Sequence, residues 1–67
     1  MTLNKSSFVL GTVDSLFPDG SAKIKFDGET TTSQKKYKRL ASYTPAAGHR
    51  VMLAVVSGTY VILGRVI

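Results

Sequence analysis

Residues 50–67, RVMLAVVSGTYVILGRVI, are apolar at almost every position and constrain the fold more than any other stretch of the chain. Ser57 and Gly58 interrupt the run, while Arg50 and Arg65 bound it. A membrane-spanning helix needs about 20 apolar residues, so this stretch is too short to be one. The pattern predicts two β-strands around a turn at Ser57-Gly58, in a protein that does not cross a membrane.

Both faces of these two strands are apolar, because both alternating sets of residues in 51–56, and in 60–67 apart from Gly64 and Arg65, are apolar. A strand that is apolar on both sides is covered on both sides. One face would fill a core and the other would meet another subunit. The alternative is a small barrel that exposes some apolar side chains, which is common. The candidate interface residues are Met52, Val56, Val61 and Leu63, although a shift of one residue in register would exchange the two faces.

The chain has 67 residues, no cysteine and one histidine. We predict a single domain over residues 1–67, with residues 1–6 as a flexible N-terminal arm. A chain of this size forms a small core and is marginally stable without help. Disulfides and thiolate metal sites are excluded, so tight packing or partner subunits remain.

Upstream residues alternate between apolar and polar in the way that half-buried strands do. Residues 9, 11 and 13 share one face, and Ala22, Ile24 and Phe26 share another. Gly11 within a strand indicates a bulge or a tight bend. Pro18-Asp19-Gly20 predicts a type I turn, and Asp27-Gly28 predicts a hairpin turn.

Residues 30–43 are harder to assign because they contain few apolar anchors. We interpret 30–33 as a short strand or hairpin arm and 36–41 as a further strand, with a helical turn over 34–40 as the alternative. Residues 44–48 form a loop. The predicted fold is all-β: a small antiparallel barrel of five to six strands, of OB-like or SH3-like kind.

Catalytic and cofactor motifs are absent from the sequence. There is no Gly-x-Ser-x-Gly elbow and no glycine-rich phosphate loop. His49 is interpreted as a solvated loop side chain, and Asp19 and Asp27 as residues that cap turns. We therefore predict that the protein is not an enzyme and has no catalytic residues, no cofactor and no metal site.

The net charge of +5 is unevenly distributed along the chain. The segment KKYKR places an aromatic ring among four cations, and basic barrels bind single-stranded nucleic acid through cations and stacked aromatic rings. Nucleic-acid binding is therefore the alternative function, with a candidate basic patch of Lys35, Lys36, Tyr37, Lys38 and Arg39. The same lysines would also protect an exposed strand edge from pairing with another chain.

The order of these elements resembles that of small OB-like barrel proteins of tailed bacteriophages, of the baseplate, tail-tip, spike or head-neck accessory type. The residues that carry the resemblance are Gly11 and Val13 in the opening strand, Pro45, Gly48 and Val51 before the hairpin, and Ile62, Leu63 and Gly64 near the end. The resemblance implies a non-enzymatic structural protein of the virion, made in the cytoplasm of a host bacterium. It also implies contacts with further copies of itself, as a trimer or ring, and with other virion proteins. An adaptor that regulates a host protein is compatible with the same residues.

Overall fold

A computed structural model describes residues 7–67 and shows an all-β fold, as the sequence predicts. The predicted arm at residues 1–6 lies outside the described residues. No helix is present between residues 7 and 67, so the alternative of a helical turn over 34–40 is wrong. The five strands are β1 (Phe8–Leu16), β2 (Ala22–Phe26), β3 (Lys38–Arg39), β4 (Arg50–Val56) and β5 (Thr59–Arg65).

The strands form one curled sheet in the order β2-β1-β4-β5-β3. Beyond β2, an isolated antiparallel bridge joins Ala22 to Tyr37, the residue just before β3. The two edges of the sheet therefore meet, and the sheet closes part of the way into a barrel. The prediction of an antiparallel barrel is wrong for one pair, because β3 and β5 run parallel. A five-stranded, partly open barrel is OB-like in kind.

The turns lie where the sequence predicts them. The N–H of Gly20 donates to the carbonyl of Phe17 at 2.9 Å, and that of Glu29 donates to the carbonyl of Phe26 at 3.0 Å. Ser57 and Gly58 both have positive φ, 47° and 80°. A two-residue hairpin needs this conformation to match the twist of its strands, and it joins β4 to β5.

The core contains the inward residues of all four long strands. The side chains that are at most 1% exposed are Val13, Ala22, Ile24, Val51, Leu53 and Ile62. The predicted inward positions on β1 and β2 are confirmed, with Val9 and Phe26 packed against this core. The ring of Tyr37 closes one end of it, with centroids 5.6 Å from Phe26 and 5.4 Å from Tyr60.

Three local predictions need correction. Residues 30–33 form no strand, and the strand predicted over 36–41 shrinks to Lys38–Arg39. Ser33 nevertheless satisfies the edge of β2: its N–H donates to the carbonyl of Ile24 at 2.8 Å, and its hydroxyl accepts from the N–H of Ile24 at 3.0 Å. The register shift in β1 falls between Val13 and Ser15 and not at Gly11. Because Ser33 satisfies both the N–H and the carbonyl of Ile24, this part of the edge of β2 needs no further strand beside it.

Candidate interaction surfaces

The first candidate surface lies on the outside of β1, β4 and β5. The register aligns Phe8 with Ala54 and Ala54 with Val61, and it aligns Leu10 with Met52. Their neighbours along the strands point into the core, so these side chains point outward. We call the surface the outer apolar face; its members are Phe8, Leu10, Met52, Ala54, Val56, Val61 and Leu63.

All four interface candidates from the sequence lie on the outer apolar face. Met52 is 38% exposed and Val56 is 44% exposed, while Val61 and Leu63 are half-buried. A second register shift brings Leu63 onto this side of β5, beside Gly64 and opposite Met52. Their role as an interface stays a prediction, but which face of the hairpin fills the core is now defined.

Charged groups border the outer apolar face. Lys38 lies beside Val61 on the β3 side. At one end, Arg50 on β4 donates to Oδ2 of Asp27 at 2.8 Å. An apolar centre with a polar rim is the usual anatomy of a protein–protein interface.

Tyr37 does not belong to an exposed basic patch, and the prediction that placed it there is wrong. Its side chain is 8% exposed, with its ring edge-on to Phe26 and Tyr60. Burial raises the pKa of the Tyr37 hydroxyl, and the nearby Tyr60 adds to the effect. A ring in this position packs the core and presents no surface on which a nucleobase could stack.

Arg39 also has a structural role. Its Nε donates to the carbonyl of Gly20 at 3.1 Å, and its guanidinium donates to the carbonyl of Tyr43 at 2.7 Å. These bonds tie the turn after β1 to the loop after β3. Of the five residues in the predicted patch, Lys35, Lys36 and Lys38 have exposed side chains.

A second candidate surface forms where β2 meets the segment before β3. Ala22 and Tyr37 point inward at their bridge, so Lys23 and Lys36 point outward beside each other. Their ammonium groups lie 5.9 and 4.8 Å from the centroid of the Phe17 ring. We call this surface the Phe17 basic face; its members are Phe17, Lys23, Lys25, Lys36 and Lys38.

Sequence reasoning missed the Phe17 basic face because the bridge that assembles it joins residues far apart in the chain. In the sequence, Phe17 is adjacent to a predicted turn, and Lys23 and Lys25 lie on the solvent-exposed side of a predicted strand. The Lys-x-Lys spacing of β2 was the available signal, since it puts two cations on one side.

Asp19 is the acidic group that contacts this face. Its carboxylate accepts from both the N–H and the hydroxyl of Ser21, and Lys36 Nζ lies 3.5 Å from Oδ2. The two bonds from Ser21, assisted by the charge of Lys36, lower the pKa of Asp19 from 3.8 to about 2. The carboxylate therefore stays ionised throughout the physiological range.

The lowered pKa of Asp19 predicts a pH dependence of stability. A carboxylate whose pKa is lower in the folded state stabilises the fold above its unfolded pKa and loses that effect as the pH falls toward its folded pKa. We expect the Tm of the wild type to fall more steeply between pH 3.8 and 2 than that of Asp19→Asn. Thermal unfolding followed by circular dichroism measures this, and equal slopes would contradict the expectation.

The third cluster joins Tyr43 and His49, whose Oη and Nδ1 atoms lie 2.9 Å apart. His49 is half-buried and hydrogen-bonded, so its interpretation as a solvated side chain is wrong. Burial raises the pKa of the Tyr43 hydroxyl, and the charge of Arg65 opposes this. The pair fixes the loop over 44–48 against the barrel.

Among residues 7–67, no group of three or more histidine, cysteine or acidic residues could hold a metal ion. The same part of the chain contains no helix long and apolar enough to cross a membrane. No known protein family, curated protein or solved structure matches the chain.

Proposed function

We propose that the protein is a non-enzymatic structural subunit of a bacteriophage particle, which associates with copies of itself through the outer apolar face. The observation that carries self-association is the exposure of Phe8, Met52 and Val56 on one continuous sheet surface. The virion part of the proposal rests on the resemblance of the chain to small phage barrel proteins.

Burial of the outer apolar face is favourable. Phe8 is 52% exposed, and Met52 and Val56 are 38% and 44% exposed. Complete burial of such a side chain stabilises by about 1.5–3 kcal/mol, so burying the exposed part of each yields roughly 1 kcal/mol. Association itself costs about 4 kcal/mol or more. A lasting contact therefore needs most of the outer apolar face and not a single side chain.

A trimer or ring requires each subunit to offer two different surfaces, because its contacts run head to tail. Val66 is 41% exposed and Ile67 is exposed, and both would supply apolar contacts for the second surface. Other virion proteins would meet what remains exposed. The tail or baseplate and the head-neck region are the two locations that the resemblance suggests.

The test of self-association is the mass in solution, measured by light scattering after size exclusion at about 100 μM protein. We expect a discrete multiple of 7.2 kDa. The mass should be the same at about 0.05 M and 1 M NaCl, because apolar contacts are insensitive to screening while charge contacts are weakened. A 7.2 kDa monomer at both salt concentrations would refute this part of the proposal.

A further inference from the structure

Four lysines lie on the outer side of β2 and of the segment that bridges to it. Lys23 and Lys25 lie on the outer side of β2, and Lys36 and Lys38 flank the inward Tyr37. Like charges on one surface repel each other, so the arrangement favours an anion that lies across several of these lysines. Asp27, at the end of β2, is held by Arg50.

Phe17 gives this charged side an aromatic centre. Its ring is partly exposed, in the turn after β1, and the ammonium groups of Lys36 and Lys23 lie near it at 4.8 and 5.9 Å. Lysine side chains are long and flexible, so at this solvent-accessible surface the two ammonium groups can move away from the ring. A ligand with a planar group can therefore displace one ammonium group from the face of the ring. A negative charge on the same ligand would keep that ammonium group nearby.

We infer that the Phe17 basic face binds single-stranded nucleic acid, with phosphates on Lys23, Lys36 and Lys38 and a base stacked on Phe17. Cations that follow the backbone and aromatic rings that stack bases are the two parts of such sites. In a duplex the bases stack on each other and their faces are not available to Phe17. An acidic protein segment would use the lysines but leave the ring without a partner.

The experiment is fluorescence anisotropy with a fluorescein-labelled oligothymidylate of about 12 nucleotides, a length within the range that one OB-like barrel covers. Each neutralised phosphate on a single strand contributes about −0.7 to the slope of log K against log salt concentration, so three lysines predict a slope of about −2. The double variant Lys23→Gln/Lys36→Gln should flatten the slope to about −0.7.

Phe17→Leu tests the stacking step separately from charge. It keeps an apolar side chain in the turn, and we expect roughly tenfold weaker binding with the salt slope unchanged. Lys35→Gln is the matched charge control. Lys35 lines a different depression, with Glu29 and Tyr60, so its removal should leave both affinity and slope close to wild type.

Asp19→Asn provides a variant that should bind more tightly. The substitution removes the carboxylate charge of Asp19 beside Lys36, while the amide oxygen can still accept the N–H of Ser21. We expect a severalfold gain in affinity at low salt. The gain should disappear as salt screens the charges.

Three results would overturn the inference: wild-type affinity in the double lysine variant, wild-type affinity in Phe17→Leu, or equal competition by polyglutamate and oligothymidylate. Polyglutamate has the charge without the bases, so equal competition would indicate a general anion surface. The double lysine variant keeps the ring and the core, so it serves as the test even if Phe17→Leu unfolds. The inference is independent of self-association, because a monomeric barrel would present the same face.

Discussion

Val56→Glu is expected to convert the assembled protein into 7.2 kDa monomers. Val56 is 44% exposed on the outer apolar face, near the hairpin turn, so a glutamate there is solvated in the isolated subunit. In the assembly the same carboxylate would be buried against apolar side chains without a partner. Such a charge costs at least about 3 kcal/mol, more than a hundredfold in the dissociation constant.

Light scattering after size exclusion measures the effect, and Ala47→Glu is the control. Ala47 is exposed in the loop before β4 and does not belong to the outer apolar face, so the control adds the same charge outside that surface. Met52→Glu should act as Val56→Glu does, because both lie on the same side of β4. An unchanged wild-type mass in both folded variants would show that the outer apolar face is not the subunit contact.

The positions of most strands could be predicted because a half-buried strand has a period of two residues. In β2, the alternation Lys23-Ile24-Lys25 is enough to identify the inner and outer sides of the strand, and Ile24 is fully buried as expected. Local chemistry also determines the turns. Pro18 and the glycines of the turns specify backbone conformations that few other residues adopt.

The segment between β2 and β3 could not be predicted for a physical reason. Its structure depends on contacts with distant residues, since Ser33 bonds to Ile24 and Tyr37 bridges to Ala22. Threonine-rich composition favours strands, but strand propensity mainly reflects packing against neighbours. Here one serine satisfies the edge of β2, so the preceding threonines need no partner strand.

The candidate surfaces were predictable to different degrees. The outer apolar face is encoded in the hairpin itself, because strands that are apolar on both sides leave one face uncovered in a chain this small. The basic surface is not encoded in one segment. KKYKR places Tyr37 among cations in the sequence, yet the bridge to Ala22 turns its ring inward and brings Phe17 to Lys36. The aromatic residue of that surface is therefore defined only by tertiary structure.

Gly11→Val is expected to remove most of the free energy of unfolding of the protein, although valine favours strands more than glycine does. A Cβ atom at Gly11 would lie 2.6 Å from Cγ2 of Ile24 and 3.0 Å from the carbonyl oxygen of Lys25. Ile24 is fully buried in the core, and the oxygen of Lys25 belongs to the backbone of β2, so either neighbour can shift only by disturbing the core or the sheet. Overpacking of this kind costs about 3 kcal/mol, and a core this small rarely supplies more than about 3–5 kcal/mol of stability.

Gly64→Val is the matched control for Gly11→Val. Gly64 is also a strand glycine, but no heavy atom beyond Gly64 and its two chain neighbours lies within 4 Å of the position of a Cβ there. The higher strand propensity of valine should therefore determine the effect of Gly64→Val, and we expect its free energy of unfolding to equal or slightly exceed that of the wild type. Urea unfolding followed by circular dichroism, at two protein concentrations, separates folding from assembly. Equal stability of the two variants would show that β1 and β2 can move apart at Gly11, and that the close approach of these strands does not limit which residues the barrel accepts there.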